Sequence, residues 1–211
     1  MYQPPHFRED RLEIQQALIR AHPLGLLVTF AKTGLTANPI PFVLDAAASP
    51  RGTLRGHLAR ANPQWRDFDP DQEALVVFQG AESYITPSWY EAKREHGKVV
   101  PTWNYAIVQA HGRMRVMDDA AWLLEQVTAM TASQEAARPA PWAVGDAPSD
   151  FLASQLKGIV GVEIEITRIV GKWKVSQNRP EPDRKGVAAG LRDQGLESAT
   201  HMADLVDNRG A

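Results

Sequence analysis

Residues 53–65 read TLRGHLARANPQW. Thr53 to Leu58 has the composition of a strand, and the residues after it open a helix. Asn62 is a good N-cap, because its side-chain oxygen can accept from the free N–H groups of a first helical turn. Pro63 suits the first helical position, where no N–H is needed. Arg60 sits between the two elements. A helix start beside an arginine fork favours an anion, since backbone amides and a bidentate guanidinium converge there. A capped helix carrying a surface arginine is the plainer reading of the same residues.

Working outward, short β runs surround this stretch. Gly25–Ala31 is an apolar strand, Lys32-Thr33-Gly34 a turn, and Leu35–Leu44 a returning strand, so the pair reads as a hairpin. Pro39 and Pro41 flank Ile40 and remove two ladder donors, which confines them to an edge or an irregularity. Ala74–Gln79 and Ala81–Thr86 read as two further strands. Val99–Met117 is a long β run in which Trp103, Tyr105 and Ile107 share one face and Asn104, Ala106 and Val108 the other. Gly112 marks a bend in it. Ile159–Arg168 alternates, with Val160, Val162, Ile164 and Ile166 inward and Glu163 and Glu165 toward solvent. Lys172–Ser176 follows as a strand ending in the polar cluster Lys174, Ser176, Gln177, Asn178 and Arg179.

Helical patterns flank the strands. One follows a capping box at Asp10 and Glu13. Another is capped by Asp118 and runs to about Ala136. A weakly helical polar tail after Pro180 ends in a helix near Ser198–Val206. There is no βαβ rhythm and no repeat, which points to an antiparallel barrel with peripheral helices.

Bulk properties narrow the function. The chain has 211 residues, 44% hydrophobic and 23% charged, with a formal net charge of −2, as expected of an ordinary globular domain. The absence of cysteine removes disulfides, thiolate metal sites and a cysteine nucleophile. The mildly acidic balance argues against a broad nucleic-acid surface. No signal-peptide h-region or membrane-length apolar run is present, so the cytoplasm is the expected compartment. There is no P-loop, no GxGxxG after a strand and no GxSxG elbow. The histidines, His6, His22, His57, His96, His111 and His201, form no close ligand pair. Trp89, Tyr90, Trp103 and Tyr105 are of a type to cover a flat ring, and Asn38, Asn104, Ser176 and Gln177 to read its edges. Core packing is the plainer role for each aromatic.

The segments GHLARANPQW, YITPSWYEAK, VPTWNYAIVQAHG and LKGIVGVEIEITRIVGKWKVSQNR, after MYQPPHF, together resemble the PaiB-like FMN-binding proteins, commonly labelled negative transcriptional regulators. The resemblance spans about residues 1–191. It implies a mainly β, α+β fold: a six- to seven-stranded antiparallel Greek-key split β-barrel with peripheral helices. The barrel would occupy residues 1–180, with 181–211 as a polar helical extension of the same domain. It also implies FMN as cofactor and a homodimer with cofactor sites at the interface. His57, Leu58, Arg60, Asn62 and Gln64 would hold the phosphate, and Asn38, Pro39 and Ile40 would lie along the ring. The partner subunit would supply Thr102, Trp103, Asn104, Lys174, Ser176 and Gln177, with Lys174 near a reduced, anionic flavin. Catalytic residues stay unassigned, and enzymatic activity is open. DNA enters as a partner through the family label alone. Haem, with His57 or His111 as ligand, and a deazaflavin are the alternative occupants.

Overall fold

The computed structural model describes residues 1–209, and the chain divides into two compact units. One holds Met1–Leu18, Gln79–Val108 and the chain from Val170 onward; the other holds Ile19–Phe78 and Gln109–Ile169. Among the described residues there are nine strands and seven α-helices. Nine strands replace the six or seven expected, because β1 (Arg8–Glu9) and β7 (Met114–Met117) are too short to leave a periodic signal. The Val99–Met117 run is interrupted, giving β6 (Thr102–Gly112) and then β7. In the opposite sense, the two strands expected over 74–86 are one, β5 (Ala74–Ile85), which Gly80 does not break.

In the second unit the strand order is β5-β2-β3-β4-β8-β7, where β2 is Leu24–Ala31, β3 Gly34–Asp45, β4 Thr53–Ala59 and β8 Ile159–Glu165. The hairpin forms as expected, with Phe30 opposite Leu35 and Ala31 opposite Gly34. Gly34 takes φ +113°, a turn conformation that side chains resist. Strand β3 changes partner midway: it pairs with β2 as far as Pro41 and with β4 from Phe42 to Asp45. Both prolines fall in the half without a β4 ladder, which is how a central position in the strand order tolerates them. The core is built from alternate residues: Leu27, Ile40, Phe42, Leu54, Leu58, Val76, Phe78, Val160, Val162 and Ile164 are all buried. Phe42 and Phe78 meet edge to face at 6.0 Å.

The opposite face of the same sheet is treated differently on its two halves. Over β4 and β8 it is covered by α4 (Ala120–Glu135), whose Trp122 lies on Gly161; a Cβ there would stand 2.3 Å from the ring. The cap of α4 is Asp119, which accepts from the Trp122 N–H at 2.8 Å, and not Asp118. Glu163, expected toward solvent, is buried beneath this layer and receives Arg55 at 3.1 Å and Arg115 at 3.0 Å. Over β5, β2 and β3 nothing in the unit covers the face. There Leu24 is opposite Pro41, Leu26 opposite Pro39, Val28 opposite Ala37 and Phe30 opposite Leu35, while Val77 and Leu75 are opposite Leu26 and Val28. All ten are apolar, and Leu24, Leu26, Phe30 and Leu35 are 40–75% exposed.

In the first unit the order is β1-β9-β6-β5, with β9 at Arg168–Lys174. The alternation expected for β6 holds: Asn104, Ala106 and Val108 are buried, whereas Trp103 is half-exposed. The capping box at Asp10 is not what forms. Asp10 binds Arg8 at 2.8 Å, and buried Glu9 takes the Arg11 N–H and guanidinium. The tail is more regular than its composition suggests: α6 (Glu181–Asp193) and α7 (Glu197–Asn208) bury Val187, Leu191, Met202 and Val206. Gly186 and Gly190 give α6 a flat stripe against Trp89, where added Cβ atoms would approach to 2.0 and 2.4 Å.

Candidate functional site

The residues singled out by sequence fall into two polar clusters, one in each unit. In the second unit, the end of β4 leads into α2 (Gln64–Asp67). The Asn62 side chain accepts from the Gln64 N–H at 3.0 Å, which is the capping bond expected of it. Gln64 itself is buried, and its amide nitrogen reaches Leu27 O at 3.2 Å, Thr29 Oγ1 at 3.1 Å and Thr36 O at 3.3 Å. Asn38 donates to Gln64 Oε1 at 2.9 Å. This amide therefore ties α2 to the hairpin. Leu58 and Ile40 are core residues, and Pro39 belongs to the uncovered apolar face.

Arg60 makes four hydrogen bonds. Its Nη1 and Nη2 bind Asp118 Oδ2 and Oδ1 at 3.0 and 2.6 Å, Nε donates to Lys157 O at 2.9 Å, and Nη2 also reaches Ile159 O at 2.9 Å. The hydrogen bonds to Arg60 hold the Asp118 carboxyl below its ordinary range and raise the guanidinium in turn. His57 points to α4, with Nδ1 2.8 Å from Gln126 Oε1.

In the first unit, Lys174 donates to Thr102 Oγ1 and to the Trp103 carbonyl. Burial pushes its pKa down, and the positive charges of Lys172 and Arg179 push it further. Among the described residues no carboxylate pairs with any of these three cations; Lys172 stacks on Tyr105 at 5.3 Å and Arg179 on Tyr90 at 4.8 Å. Asn104 and Ser176 bind each other, amide to hydroxyl at 2.9 Å, and Ser176 holds φ +65°. A non-glycine residue in the left-handed region stores strain, as functional sites often do. Gln177 is closed on the backbone of Trp173 and Val175. The Trp103 ring stands open beside Tyr84, edge to face at 5.8 Å. Tyr90 takes the plainer of its two roles and packs in the core, 1% exposed. His111 is half-buried with Nε2 unpartnered, and burial followed by Arg168 lowers its pKa.

Sequence reasoning missed Asp118, Lys172, Arg179 and Gln126. Lys172 was within reach, since it lies two residues from Lys174 on one strand and so on the same face. Asp118 was not, because 58 positions separate it from Arg60. Among the described residues no group of three or more His, Asp or Glu is arranged to hold a metal, and no helix is long and apolar enough to cross a membrane.

This antiparallel architecture is shared with known proteins. The flavocytochrome Anf3 of Azotobacter vinelandii superposes with a TM-score of 0.58 at 12% identity, over 79% of this chain and 69% of that one. The conserved protein Rv2991 of Mycobacterium tuberculosis gives 0.57 at 13%, over 86% and 95%. The fold is thus an antiparallel split β-barrel. Residues 1–168 match the family model described as "Putative FMN-binding domain". Protein AN0679 of Emericella nidulans is 36% identical over 245 residues, covering 100% of this chain and 98% of its own. The protease synthase and sporulation protein PAI 2 of Bacillus subtilis is 33% identical over 209 residues, covering 99% and 98%. The chain belongs to the PaiB-like family of FMN-binding proteins, and its cofactor is FMN.

The donor set fits that group. FMN brings an anionic phosphate and a flat ring; the chain offers three cations without a carboxylate, an open indole and a guanidinium paired with a single carboxylate.

Proposed function

We propose that this chain is an FMN-dependent redox protein that works as a homodimer. In this reading Asn38, Pro39, Ile40, His57, Leu58, Arg60, Asn62 and Gln64 of one protomer frame the cofactor. Thr102, Trp103, Asn104, Lys174, Ser176 and Gln177 of the other complete it. Asn38, Gln64, Asn104, Ser176 and Gln177 act by holding the backbone in place, and Arg60, Lys174 and Trp103 by contact. The observation that carries the redox reading is Lys174, a partly buried ammonium with neighbouring positive charge and no acid to neutralise it. FMN, when bound, supplies the electron-transfer chemistry. Lys174 supplies positive charge, Trp103 an apolar cover, and the strained turn at Ser176 the position of both.

The dimer is supported by the ten-residue apolar face of β5, β2 and β3. Contiguous apolar surface of this kind is uncommon on monomers and marks association. A second copy is its simplest partner, because a two-fold axis places the patch on itself.

A regulatory role is the second reading. It is favoured by the name of the Bacillus subtilis relative, which refers to protease synthesis and sporulation.

Gently purified protein is expected to be yellow, with bands near roughly 370 and 450 nm, and to bleach anaerobically with a nicotinamide donor. Colourless protein that takes up no added FMN overturns the reading. Yellow protein that no donor bleaches, but that retards promoter DNA in a salt-sensitive way, transfers it to regulation.

A further inference from the structure

A cleft of about 260 Å³ lies between α4 and strands β3 and β4, lined by Val43, Asp45, Arg55, Trp122, Glu125, Gln126 and Ala129. Gln126 is 3% exposed, and its Nε2 has no partner. The amide oxygen Oε1 lies 2.8 Å from His57 Nδ1. Nε2, on the other arm of the amide, is buried without a partner, an arrangement that proteins avoid unless something else supplies one. One water would not fill the space, since a water's share of liquid volume is only about 30 Å³.

The charges around the cleft select the occupant. Asp45 Oδ1 accepts from the Ala47 and Ala48 N–H groups at 3.1 and 3.2 Å, and Asp45 Oδ2 pairs with Arg55 at 3.3 Å. Arg55 also binds Glu163, which takes Arg115 as well. The one cation on the wall is thus neutralised twice, and Glu125 adds an exposed carboxylate. An anion has no free cation to meet there. Val43, Trp122 and Ala129 offer an apolar surface, and Gly161 fixes Trp122 by admitting its ring.

We propose that this cleft binds a small uncharged amide. Its carbonyl would accept from Gln126 Nε2, its N–H would meet Glu125, and its apolar body would lie on Trp122. The site stands apart from the residues proposed to contact FMN and touches them only through His57.

Benzamide is a suitable probe, with benzoate as its anionic counterpart, on full-length protein carrying its cofactor as purified. Millimolar benzamide is expected to shift the side-chain amide resonances of Gln126 and the ring resonances of His57. Benzoate should bind about tenfold more weakly. Gln126→Met should lose about tenfold in benzamide affinity, the worth of one such hydrogen bond. If that variant folds poorly, Glu125→Gln at the exposed rim keeps the test open: it should bring benzoate affinity up toward that of benzamide. Unmoved Gln126 resonances, equal binding of benzoate in the native protein, or release of FMN by benzamide would each overturn the proposal.

Discussion

Arg60 and Asp118 form a two-pronged ion pair, guanidinium to carboxylate, at 2.6 and 3.0 Å. Asp118 thereby occupies the face of the fork that a phosphate would use. If Arg60 holds the FMN phosphate, Asp118 competes with it. Asp118→Asn is expected to tighten FMN about tenfold and Arg60→Ala to release it, both read by quenching of flavin fluorescence on titration. Weaker or unchanged binding in Asp118→Asn would make Arg60 a clamp on Lys157 and Ile159 and remove it from the cofactor site.

Phe30 lies in the uncovered face, opposite Leu35. Phe30→Asp places a charge where a second copy would pack. Sedimentation velocity should show a dimer for the native protein and a monomer for the variant, because a buried unpaired charge is costly. A native protein that sediments as a monomer at all concentrations would contradict the homodimer.

Trp89 rests on α6 through Gly186 and Gly190. Alanine at either site gains up to about 1 kcal/mol of helix propensity. At Gly186 the added carbon would approach the Trp89 carbonyl to 2.0 Å, and backbone cannot swing aside. Overpacking of that kind costs about 1–3 kcal/mol, so Gly186→Ala should lower Tm. At Gly190 the obstacle is the ring itself, and altered Trp89 fluorescence should accompany the loss. A Tm raised by either change would show that the contact is loose.

Glu9 titrates unusually. Burial alone would raise its pKa, but hydrogen bonds from the Arg11 side chain and backbone and from Arg209 outweigh it and hold the value at about 2. A carboxyl depressed in the folded state contributes stability above its unfolded pKa, near 4.5. That contribution is lost as pH falls from there toward 2. Glu9→Gln should therefore be less stable than the native protein at pH 7. The gap should close on acidification, as chemical denaturation at successive pH values would show.

Much of the fold was legible because alternation is a local signal. The hairpin, β4, the inward face of β6 and the hydrophobic row of β8 can be read from neighbours two positions apart. What escaped depended on distant residues. Glu163 looks like a solvent position on its own strand, and only Arg55 and Arg115, brought from two other strands, make its burial tolerable. The glycines of α6 look like helix breakers until Trp89 is placed on them. At the site, residue types were legible but their roles were not. Gln64, Ser176 and Gln177 have the chemistry of ligand readers, yet each is closed on its own protein, whereas Lys172 reads only as the start of a strand and Arg179 only as one member of a polar cluster.

The prolines of β3 also limit how copies of this chain can assemble. A wide apolar face next to an unladdered strand segment is the combination from which chains add edge to edge without end. Pro39 and Pro41 withhold the amide hydrogens that such growth requires, on the stretch where β3 has no β4 ladder. Stickiness is left to the face and denied to the edge. Contact through a face closes on itself after two copies, so the same two residues that interrupt the ladder also guard against filaments.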